Sequence, residues 1–133
     1  GAPGTTPGLG LLEIDTVMTG DKRLTETRAT HAATGREFRG YEIHIGRSEG
    51  PDRARPFAHV AGQPEGAATP DGRIAGSYLH GMFRDDGFRA AWLGGFGAQS
   101  AGRYDSTVEA VLDGLARHME THLDVTGLLA LAR

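Results

Sequence analysis

The chain has 133 residues, enough for one domain with a real core, and no cysteine, so disulfides and thiolate-held metals are excluded from this stretch. Its 14 lysines and arginines against 17 acids give a formal charge of −3, which argues against a nucleic-acid partner. No apolar run approaches the ~20 residues of a membrane-spanning helix, so no membrane role is expected, and the lack of cysteine is compatible with the cytoplasm. Residues 1–7, GAPGTTP, lack the basic and apolar regions of a secretory signal. They read as the remnant of a linker, with residues 8–133 as part of a larger domain. Glycine, at 21 residues, is about double its usual ~7% share and promises many turns.

Residues 9–17 (LGLLEIDTV) are apolar and short, as a strand is. TGDKR (19–23) reads as a turn, and LTETRAT (24–30) as an exposed strand. After the turn ATGRE comes a strand over 38–45. Its two-residue period sets Tyr41, Ile43 and Ile45 on one face and Glu42 and His44 on the other. RPFAHVAG (55–62) holds a further short strand. QPEGAATPDGR (63–73) is loop, closed by the tight turn Pro70-Asp71-Gly72. Residues 73–79 form a buried strand that ends on His80.

The last third is helical. Asp85 or Asp86 caps a helix that carries Phe88, Ala91 and Trp92 on one face, and GGFG (94–97) stops it. Ser106 with Glu109 forms a capping box. The helix behind it aligns Val108, Val111, Leu112, Leu115, Met119 and Leu123. Thr126 opens a last short turn. Strands followed by two or three helices predict an α/β or α+β layer whose doubly wound sheet is incomplete within these residues.

Six histidines are the candidates for chemistry. His31 and His59 lie in polar, loop-like contexts and read as surface residues. His118 and His122 have chelating spacing, but HMETH lacks the glutamate that follows the first histidine in the metalloprotease helix, so no metal site is expected. His44 shares a strand face with Glu42, which is either an ordinary solvent-facing pair or part of a site. His80 leaves a strand directly into Gly81, which suits either a packed histidine or a catalytic base.

GLGLLEIDTV, TGDKRL, GYEIHIGRSEGP, GRIAGSYLHGMF and LDGLARHMETHLDVTGLLALAR, in this order, resemble the cobyric acid synthase family over nearly the whole chain from Gly8. The resemblance implies the C-terminal half of a class I-type glutamine amidotransferase domain, flavodoxin-like in fold. It implies that His80 serves a cysteine on a Gly-rich elbow that these residues do not contain. The position two after the histidine, a glutamate in most such triads, is Met82 here. Glu42 is then a candidate to orient His80, with Asp85 as another, and His44 and Tyr78 as further candidate site residues. No cofactor is expected in this stretch; ATP and magnesium would belong to an N-terminal synthetase domain. The partners implied are that domain, the missing amidotransferase half, glutamine and a corrinoid substrate. Alone, these residues would be inactive as a glutaminase and would self-associate through free strand edges. A related amide ligase, serving cobyrinate diamidation or cell-wall lipid amidation, and a non-catalytic binding scaffold are the competing readings.

Overall fold

A computed structural model describes residues 3–100 and 102–132, apart from the side chains of residues 21 and 23. The architecture is mixed α/β, with strands first and three helices after them. Two units divide the chain, 1–99 and 100–133.

The first unit grows from one long hairpin. Strands β1 (Asp15–His31) and β2 (Glu37–Glu49) pair antiparallel from Asp15↔Glu49 to Thr30↔Glu37, around the turn at 32–36. TGDKR is not a turn. The ladder runs through it and slips only between Val17 and Lys22, where residues 18–21 stand against Gly46 alone. A strand absorbs surplus residues as a bulge when pairing on both sides holds it in place.

The faces of β2 are also the reverse of what its apolar pattern suggests. Phe38, Gly46 and Ser48 are buried and Glu42 and His44 half-buried, whereas Tyr41 and Ile45 are exposed. Leu24, exposed as well, stands across from Ile43 on that same outer face. The polar alternate residues face inward because they satisfy one another there, as described below.

Three short strands follow: β3 (Ala58–Val60), β4 (Gln63–Glu65) and β5 (Ala67–Ala68). The last two lie in the stretch expected to be loop. The expected continuous strand over 73–79 is instead split into β6 (Ala75–Gly76) and β7 (Leu79–His80). β6 pairs with β5 in a two-stranded sheet, and β7 closes the five-stranded order β4-β3-β1-β2-β7. The break has a visible cause. The Tyr78 amide donates to Glu65 Oε1 at 2.8 Å and the Leu79 amide to Ser77 Oγ at 3.0 Å, so side chains take donors that a ladder would use. Every ladder is antiparallel.

Helix α1 (Asp86–Gly94) starts where expected, with the Asp85 carboxylate accepting the Phe88 amide at 2.8 Å. It carries Phe88 into a core made with Ala29, Phe38, Phe57, Ala58 and Leu79, and Trp92 packs at its margin. His31 is part of this core rather than a surface residue. It is 4% exposed, with its ring centroid 4.9 to 5.4 Å from those of Phe57, Trp92 and Phe88. Its context looked polar because ATGRE follows it. That turn bends away and leaves His31 as the last inward residue of β1.

The Thr34 amide donates to His31 Nδ1 at 3.3 Å, which assigns the proton of the neutral ring to Nε2. Burial pushes the His31 pKa below its ordinary value of 6.5. Above that value neither the folded nor the unfolded chain binds the proton. As pH falls through 6.5, the unfolded chain takes it up and the folded one resists. Folding stability is therefore expected to be full above about pH 6.5 and to decline below it. Urea midpoints of wild type and His31→Phe across pH 5 to 8 check this; an equal pH response in both would remove His31 as the cause.

The second unit holds α2 (Tyr104–His122) and α3 (Val125–Leu131). α2 begins two residues before Ser106, whose hydroxyl donates to the Arg103 carbonyl at 3.1 Å, so the expected capping box does not form. Asp124, rather than Thr126, caps α3 by accepting the Gly127 amide at 2.9 Å. On α2, Val111, Leu112, Leu115 and Met119 are exposed.

Candidate functional site

β7 is only two residues long, and its place is fixed from three sides. Across the ladder, Tyr41 opposes His80 and Glu42 opposes Leu79. From below, the buried Glu65 accepts the Ser77 hydroxyl at 2.7 Å and the Tyr78 amide at 2.8 Å. Beside it, β2 offers Gly40, where an ideal Cβ would stand 2.5 Å from the His80 carbonyl oxygen. Backbone cannot yield as a flexible side chain can, so only glycine allows this approach. Gly40→Ala is expected to cost about 1–3 kcal/mol by overpacking and to displace β7. Denaturant midpoints measure the cost; an unchanged midpoint would show that the strands separate freely.

His80 emerges exposed at the end of this strand. Gly81 follows with φ +75, a left-handed conformation that glycine adopts without strain. The His80 ring lies against Tyr41, centroids 5.5 Å apart and planes 9° from parallel. Among the described residues, no side chain hydrogen-bonds either of its nitrogens, so both edges of the ring remain open to a reaction partner.

The other candidates gather on the opposite face. Directly paired residues share a face of an antiparallel ladder, so Glu42 goes with Leu79 and turns away from His80. Its Oε1 lies 2.9 Å from His44 Nε2, while His44 Nδ1 lies 2.9 Å from the Gly46 carbonyl. Tyr78 stacks on His44 at 4.4 Å and 15°, and its hydroxyl joins a chain to Ser48 at 2.6 Å and on to Thr16 at 2.7 Å. These contacts engage both nitrogens of His44, and they explain why β2 keeps its polar side inward. Asp85 is engaged as the cap of α1. The structure thus brings Glu42, His44 and Tyr78 together, and leaves His80 apart from them with Tyr41.

His118 and His122 are stacked ring to ring at 4.3 Å on α2, and the described residues include no cluster of three or more ligands fit for a metal. Sequence reasoning missed Gly40, Tyr41 and Glu65. The GYEIHIG motif was the available signal, but its tyrosine was counted with the apolar alternate residues.

Residues 1–88, which include His80 and everything that seats it, match the CobB/CobQ-like glutamine amidotransferase domain. The chain belongs to that family. Curated relatives extend the likeness beyond the matched domain. It is 66% identical to a cobyric acid synthase of Rhodobacter capsulatus over the whole of this chain and 28% of that protein. A cobyric acid synthase of Jannaschia is 64% identical over 97% of this chain and 27% of its own length. That of Paracoccus denitrificans is 62% identical over all of this chain and 27% of its own. The chain therefore spans little more than a quarter of the relatives it matches. No solved structure matches it.

Proposed function

We propose that these residues are the C-terminal half of the glutaminase domain of a cobyric acid synthase, and that His80 is its acid-base residue. The carrying observation is the state of His80: exposed at a strand end inside the matched domain, with both ring nitrogens unengaged by the described residues. The high identity to cobyric acid synthases supports the choice of parent.

In this reading the nucleophile is a cysteine outside this stretch. His80 takes the Sγ proton, and the thiolate attacks the side-chain carbonyl of glutamine. The carbon–nitrogen bond breaks, the proton passes from His80 to the leaving nitrogen, and ammonia departs. Water then cleaves the thioester to release glutamate. The ammonia serves amidation of corrinoid carboxylates in a separate ATP- and magnesium-using domain, in the cytoplasm. Without the cysteine, this chain alone hydrolyses no glutamine. No helix of the described residues is long and apolar enough to cross a membrane.

The test is ammonia release from glutamine by the full-length protein with and without His80→Ala. Equal rates in the two would end the reading.

A further inference from the structure

An acid-base histidine needs its ring held in one orientation, and in many sites a carboxylate bound to one nitrogen does this. Here the carboxylates near in sequence are committed elsewhere: Glu42 to His44 on the other face, and Asp85 to the cap of α1. The one ring contact of His80 among the described residues is Tyr41.

We infer that Tyr41 is the positioning residue of His80, acting by ring stacking in place of an orienting carboxylate. The inference rests on the reading of His80 as the glutaminase base. Tyr41 stands directly across the ladder from His80, on the same face, so no loop movement is needed to bring the rings together. The centroid distance of 5.5 Å lies in the range where aromatic rings attract, and the 9° angle fits a parallel, offset pair.

Gly81 belongs to the same unit. An ideal Cβ there would stand 3.1 Å from Tyr41 Cε1, so the absence of a side chain lets the tyrosine lie flat beside the backbone. Tyr41, His80 and Gly81 thus pack as one block, with β7 held from behind by Gly40 and Glu65. The chemical consequence differs from that of a carboxylate. Stacking occupies a face of the imidazole and leaves both nitrogens, which lie at its edge, for the thiol and the leaving group.

The experiment uses the full-length protein and two feeds, glutamine and ammonium. For Tyr41→Leu, glutamine-dependent kcat is expected to fall about 10- to 100-fold, the effect of a slightly misplaced catalytic group. The KM for glutamine should stay within about twofold, and ammonium-fed amidation should persist. Tyr41→Phe keeps the ring and should retain kcat within about threefold. A Tyr41→Leu enzyme with unchanged glutamine kcat, measured beside an inactive His80→Ala, would overturn the inference and leave the base intact. A Tyr41→Phe loss as deep as that of Tyr41→Leu would overturn it too, since the hydroxyl rather than the ring would then act. Should Tyr41→Leu also lose ammonium-fed turnover, Tyr41→Trp decides: it keeps a flat ring, and retained glutamine turnover supports stacking while loss refutes it. Full glutaminase activity in His80→Ala would instead end the parent reading, and the positioning role with it.

Discussion

Full-length protein carrying His80→Ala is expected to release ammonia from glutamine about 10²- to 10⁴-fold more slowly, while amidation fed by ammonium continues. The size follows from the two proton transfers assigned to one imidazole. Thiol activation and protonation of the leaving nitrogen both lose their carrier when the ring is removed. A cysteine thiol is only a few per cent thiolate at neutral pH, so some attack survives unassisted. Ammonium bypasses both transfers, and its use tests that the remaining protein is folded. The alanine is well tolerated structurally, because His80 is exposed and its ring makes no hydrogen bond with any described residue. A small effect on glutamine turnover could not be excused by poor folding, and would mean that the strand end is only packing.

Phe88→Ala should bring the largest loss of stability, about 3–5 kcal/mol. Phe88 is the only fully buried large side chain among the described residues. Its ring lies 4.6 Å from Phe38, 5.4 Å from His31 and 5.5 Å from Phe83 by centroids, so it joins β1, β2 and the turn before α1. Removing it leaves a cavity with walls on several elements, which cannot all collapse inward at once. Typical domains have only about 5–15 kcal/mol in total, so a large part of the folded population is at stake. A urea titration with near-normal slope and a much lower midpoint is the expected result. A midpoint shifted by less than the equivalent of about 1 kcal/mol would show that α1 is not anchored through this ring.

Much of the framework was legible. The hairpin arms around ATGRE, the short strand near Ala58, the Asp85 cap and the helix through Val111 and Leu115 all follow from local rules of period, capping and turn chemistry. What was hidden is what depends on distant partners. TGDKR carries turn residues, yet β2 supplies pairing on either side and holds it as a bulge. The inward face of β2 is polar because Ser48 and Tyr78, thirty positions apart, meet there. IAGSYLH reads as one strand until Glu65 is seen taking the Tyr78 amide. His31 was misread because its neighbours in sequence are polar while its neighbours in space are aromatic. The GYEIHIG and SYLHGMF motifs stood out in the sequence, but their contact through Tyr41 and His80 is a matter of register, which neither motif states alone.

β7 meets β2 through only two registered pairs, Tyr41↔His80 and Glu42↔Leu79. Those pairs join positions roughly forty apart in the chain, whereas the β1–β2 hairpin closes over a short turn. The order of assembly follows. The hairpin can zip first from its own local contacts, and the histidine strand adds late, onto an edge already formed. In the finished fold the same brevity sets the order of loss: the amides of Leu79 and His80 open and exchange with solvent well before those in the middle of the hairpin. The chemically important end of the sheet is its least insulated part, free to breathe against whatever surface completes it.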